Sequence, residues 1–159
     1  MKKPGKIILA IVAVVLLIAF GYACFFTVQV LSLSTTWAEA QMDLTALFTS
    51  GKCFAEYEGE TVRLCPNARD VIHKFLINSS TVSRERPPED TRSMLLYMER
   101  GTLRIVEDAE RYGYIVMELD GKTQYFRLSM HVNFDAFEKV FYGTAGENTP
   151  VEEIPYQHE

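Results

Sequence analysis

The sequence predicts an α+β fold: an N-terminal transmembrane helix followed by a small domain with an antiparallel β-meander packed against two or three helices. Three observations predict it. The chain opens on an apolar run with no charge between Lys6 and Glu39. Turn signals at Gly59, Gly101 and Gly121 then punctuate short runs rich in β-branched and aromatic residues. Those strands follow one another in a group instead of alternating singly with helices, which points away from a parallel α/β order.

The opening "MKKPGK" carries Lys2, Lys3 and Lys6, and the apolar run extends from Ile7 to Ser34. A cleavable signal peptide has an apolar core of about 7–15 residues, whereas a spanning helix needs about 20. Length therefore favours a span. The stretch "GYACFF", Gly21 to Phe26, invites a lipoprotein reading with Cys24 acylated. Tyr22 is bulky where a small residue belongs, and Phe25 to Val30 stay apolar where a tether would turn polar. The segment reads as membrane interior, with Ile7, Leu16, Cys24 and Val30 as membrane residues and the lipid bilayer as a partner. Lysines flanking a span favour the cytoplasmic side. The expected organisation is a cytoplasmic stub at 1–6, a signal-anchor helix at 7–31, an extracytoplasmic domain at 32–142 and an acidic flexible tail at 143–159. The expected location is the cell membrane, single-pass, with the N-terminus cytoplasmic.

The charge falls unevenly. All 21 Asp and Glu lie beyond the span, against 13 Lys and Arg once the three N-terminal lysines are set apart from the 16, so the outer part is net −8. That balance argues against nucleic acid and anionic lipid surfaces as partners. Arg84, Arg86 and Arg92 are interleaved with Glu85, Glu89 and Asp90, which reads as a solvated loop.

The first outer helix is "TTWAEAQMDLTALFTSG". Thr36 to Glu39 fits a capping box, Trp37, Ala40, Leu44, Leu47 and Phe48 recur at helical spacing, and Gly51 can end it; the helix either runs on from the span or bends at Ser32 to Thr36. Trp37 suits a membrane-interface anchor or a core position, and the core is favoured. "CFAEYEGETVRLC" reads as a hairpin around Gly59. A three-residue loop places Cys53 opposite Cys65; a two-residue loop, Glu58-Gly59, places Cys53 opposite Leu64 and the cysteines on opposite faces. The sequence permits a Cys53–Cys65 disulfide without requiring it.

"PNARDVIHKFLINSS" is a helix with Ala68, Val71, Ile72, Phe75 and Leu76 as its buried stripe and His73 on the solvated side. The double proline Pro87-Pro88 forces a loop. Two hairpins follow, turning at Arg100-Gly101 and at Asp120-Gly121, the latter the stronger signal. They predict Leu95 opposite Val106, Tyr97 opposite Arg104, and Val116 opposite Tyr125. "NFDAFEKVFYG" is a helix capped by Asn133 and stopped at Gly143, with Phe134, Phe137, Val140 and Phe141 apolar.

Both hairpins assign Leu95, Tyr97, Val106, Tyr114, Val116 and Tyr125 to one sheet face. That stripe is either core, covered by the Trp37 helix, or an exposed surface for a protein partner at the outer membrane face. The covered reading is favoured.

No HExxH, Cys/His metal spacing or Gly-rich phosphate loop appears, and no catalytic residue, metal or cofactor is expected. Ser129, His131 and Asp135 are close in sequence but fit no nucleophile elbow. The leading expectation is a membrane-anchored, non-catalytic binding or interaction module. The alternatives are an anchored hydrolase or thiol-redox enzyme, and an assembly partner acting through its transmembrane helix.

Overall fold

The computed structural model describes residues 4–50, 52–88, 92–143 and 148–152. The chain divides into two compact units, Met1–Thr35 and Thr36–Glu159. Helix α1, Pro4–Ser50, begins in the first and ends in the second.

In the first unit α1 is long and apolar enough to cross a membrane. Leu16, Cys24 and Val30 present exposed side chains, as do most large apolar residues from Ile8 to Leu31; the side chain of Ile7 lies outside the described residues. Thr27 and Thr35 donate their hydroxyls to the carbonyls of Ala23 and Leu31 within the helix, so neither hydroxyl lacks an acceptor. The expected capping box at Thr36 does not start a helix. No glycine or proline interrupts residues 22–50 of α1, and Thr36 instead accepts a hydrogen bond from Arg84.

The second unit continues with β1 (Phe54–Tyr57), β2 (Glu60–Arg63), α2 (Pro66–Asn78), β3 (Thr81–Ser83), β4 (Arg92–Met98), β5 (Gly101–Glu107), β6 (Tyr112–Leu119), β7 (Lys122–His131), α3 (Phe134–Phe141) and β8 (Thr149–Pro150). The described strands form one eight-stranded antiparallel sheet in the order β3-β7-β6-β5-β4-β1-β2-β8. The fold is α+β.

The β6–β7 hairpin has the expected register, with Val116 opposite Tyr125 and Ile115 opposite Phe126. Asp120 and Gly121 both adopt positive φ, as a two-residue primed turn demands. The β4–β5 hairpin differs. It turns at Glu99-Arg100, so Leu95 faces Arg104, Tyr97 faces Thr102 and Val106 faces Ser93. Gly101 belongs to the strand because a Cβ there would strike the Glu118 carbonyl of β6. The glycine marks a close backbone approach, not the turn.

The three described helices pack on one sheet face. Trp37 of α1 lies against Phe126, with ring centroids 4.8 Å apart. Phe75 of α2 meets Phe137 of α3 edge-on, and Phe134 and Phe141 of α3 contact Tyr57 of β1. Met94, Leu96, Leu103, Ile105, Ile115 and Phe126, on that face, are fully buried. Trp37 is a core residue. Its Nε1 donates to Ser79 O at 2.9 Å, and Gln41 Nε2 donates to the carbonyls of Leu76, Ile77 and Ser79. These bonds serve the carbonyls of Ile77 and Ser79 at the end of α2 and add to the bond that Leu76 O already accepts from Ser79 N.

Two helix faces depart from expectation. Val71 is exposed, and the buried stripe of α2 is Ala68, Ile72 and Leu76. His73 is half-buried instead of fully solvated: it stacks on Phe48 and meets Thr45 Oγ1 at 3.1 Å. Part of the expected acidic tail is also docked. β8 pairs with β2, and Asn148 Nδ2 donates to the carbonyls of Val140 and Phe141 at the end of α3. Residues 144–147 and 153–159 lie outside the described residues.

Candidate functional site

With α1, α2 and α3 on one side, the opposite face of the sheet carries no described helix. It is the face assigned to Leu95, Tyr97, Val106, Tyr114, Val116 and Tyr125. The expectation that the Trp37 helix covers this stripe is therefore corrected, since Trp37 contacts Phe126 on the other face.

The stripe divides into a covered and an open part. Val106 is 1% exposed, Tyr114 3% and Val116 8%, whereas Leu95, Tyr97 and Tyr125 are half-buried. The segment after β3 crosses this face. Arg86, Pro87 and Pro88 form one wall of a hollow of about 570 Å³ whose remaining lining includes Arg104, Val106, Val116 and Tyr125. The Arg86 guanidinium lies over the Tyr125 ring, 4.9 Å from its centroid, a cation–π arrangement. Two prolines hold this segment out of regular structure.

Polar groups of the face are anchored at its margins. Tyr97 OH donates to Glu56 Oε2 at 2.6 Å, and Tyr114 OH donates to Asp108 Oδ2 at 3.0 Å. Burial first, then the neighbouring carboxylate, pushes the Tyr97 phenol up to about 12 and raises that of Tyr114. Arg127 pairs with Glu85 at 3.6 Å. Arg86 and Arg104 make no ion pair among the described residues. Sequence reading did not find this hollow. Its signal was the double proline beside interleaved charges, which alone looks like a solvated loop.

The cysteines form no disulfide. β1 and β2 join through the two-residue loop Glu58-Gly59, both at positive φ, and Leu64 N donates to Cys53 O at 2.9 Å. Cys53 is thus opposite Leu64, and Cys65 lies past the strand as the N-cap of α2, its Sγ accepting from Ala68 N. Both are free thiols. Burial pushes the Cys53 thiol up to about 12, with Arg69 opposing it. Such a thiol is protonated at neutral pH, the reverse of what a redox nucleophile needs.

Of the residues weighed for hydrolysis, His131 and Asp135 line one hollow of about 520 Å³ and Ser129 does not, and each has a separate partner. Ser129 bonds Ser80, His131 stacks on Tyr112 at 4.8 Å, and Asp135 accepts from Arg92 at 3.0 Å. Arg92 belongs to a network joining the sheet to α3: it donates to Tyr57 OH at 2.8 Å and pairs with Glu138 at 2.7 Å, while Tyr57 OH donates to Glu138 at 2.9 Å. Among the described residues no group of three His, Cys, Asp or Glu could hold a metal.

No family model, curated protein or solved structure matches this chain.

Proposed function

We propose that this is a single-pass protein of the cell membrane whose N-terminus is cytoplasmic and whose outer domain is a non-catalytic interaction module. The helix-free sheet face is its binding surface for a protein partner. One observation carries the reading: all three helices pack on the same side of the sheet, leaving half-buried Leu95, Tyr97 and Tyr125 beside an open hollow on the other. Aromatic residues that are partly exposed around an apolar centre have the composition of interface anchors. The lysines ahead of the apolar part of α1 support the orientation.

The test is site-specific photo-crosslinking in intact membranes, with the crosslinker placed at Tyr125, Leu95 or Val71 in turn. Val71 is 44% exposed on α2, away from the face. Discrete protein adducts from the first two positions and none from Val71 support the proposal. The same adducts from all three, or from none, contradict it.

A further inference from the structure

We infer that the hollow on the helix-free face receives an extended segment of a partner polypeptide in which two acidic residues bracket an apolar one. This rests on the reading that the face binds a partner and adds the chemistry of that partner. The register sets Arg104, Val116 and Tyr125 in one row across β5, β6 and β7. Neighbouring strands are about 4.8 Å apart, so Arg104 and Tyr125 lie about 10 Å apart with Val116 between them. Arg86 sits over the Tyr125 ring. The row therefore ends in a guanidinium on each side of an apolar floor made by Val106 and Val116, with Pro87 and Pro88 in the wall.

Neither guanidinium has a carboxylate partner among the described residues, although the domain around them is net negative. Arg127, the other described arginine of this face, does have one, in Glu85. Two unpaired guanidiniums around an apolar floor favour carboxylates around an apolar side chain. In an extended segment, residues i, i+2 and i+4 share one side at steps of about 6.6 Å. Long arginine side chains take up the difference from the row's spacing. Glu118, also on the lining, repels a carboxylate from its own rim and so directs the acidic residues toward the arginines.

The experiment uses the full chain in lipid nanodiscs, with methyl NMR reading Val106 and Val116. The probes are the capped pentapeptides Glu-Thr-Leu-Thr-Glu and Lys-Thr-Leu-Thr-Lys, and free glutarate. The acidic peptide is expected to shift both valines, with affinity at least tenfold above the lysine peptide and above glutarate. Arg86 and Arg104 are exposed, so the double variant R86E/R104E is expected to keep its fold, checked by an unchanged melting transition, and to reverse the preference toward the lysine peptide. Equal response to the two peptides, an unreversed preference in a folded variant, or glutarate binding as tightly as the acidic peptide overturns the inference. If the peptides fail while face-specific crosslinks from Tyr125 persist, this inference falls and the interaction reading stands; if the crosslinks are absent too, both fall.

Discussion

Trp37 Nε1 donates to Ser79 O at 2.9 Å, across 42 residues of chain, and so joins the last outer stretch of α1 to the end of α2. The same carbonyl accepts from Gln41 at 3.2 Å. Trp37 is 5% exposed, and its ring also packs on Phe126. One side chain thus serves the core of the sheet and the cap of a neighbouring helix.

Trp37→Phe is expected to keep most of the packing and lose the donor. The cost should be about 0.5–1.5 kcal/mol, that of one hydrogen bond, because Gln41 still donates to the same carbonyl. Trp37→Ala should cost about 3–5 kcal/mol through the added cavity. Thermal melts of the full chain in detergent micelles measure both, and a Trp37→Phe variant as stable as the parent would show that the hydrogen bond contributes nothing.

Free thiols give a direct count. Denatured, non-reduced protein should take up label at Cys24, Cys53 and Cys65 alike. In the native state Cys53 should react slowest, because it is buried and its thiol is pushed up to about 12. Two thiols that appear only after reductant is added would contradict the two-residue hairpin register. Cys65→Ser should stabilise the domain by about 0.5–1 kcal/mol, since a hydroxyl is a better N-cap acceptor for Ala68 N than a thiol.

The Arg92 network predicts a pH dependence. The Tyr57 hydroxyl first, then Arg92, hold the Glu138 carboxyl below the ordinary glutamate range. A carboxyl whose folded pKa is lowered contributes stability above its unfolded pKa, about 4.3, and that stability is lost as pH falls through the folded value. Urea midpoints should therefore drop on acidification. Glu138→Gln should be less stable at neutral pH and show a shallower drop below pH about 4.3. An unchanged acid slope in the variant would remove Glu138 from the account.

Much of the fold was legible because side-chain period and turn chemistry are local. Asp120-Gly121 set the β6–β7 register, and Asn133 and Phe134 marked the start of α3. Gly101 misled the β4–β5 register because its reason is contact with Glu118 of another strand, which no local pattern shows. The same limit hid the layer order. Alternation shows that two faces are apolar, but not that three helices share one of them while Arg86, Pro87 and Pro88 line the other. His73 looked solvated because its partners, Phe48 and Thr45, are on a different helix.

The account depends on the open part of the helix-free face, at Tyr125, being surface while its covered part, at Tyr114, is core, and the stability of Tyr125→Ser relative to Tyr114→Ser in the full chain tests that most directly. Tyr114 is 3% exposed and bonded to Asp108, so its loss should cost about 3–5 kcal/mol. Tyr125 is half-buried beside the hollow, and its loss should cost within about 1 kcal/mol. A destabilisation by Tyr125→Ser as large as that by Tyr114→Ser would make this face part of the core and contradict the proposed binding surface.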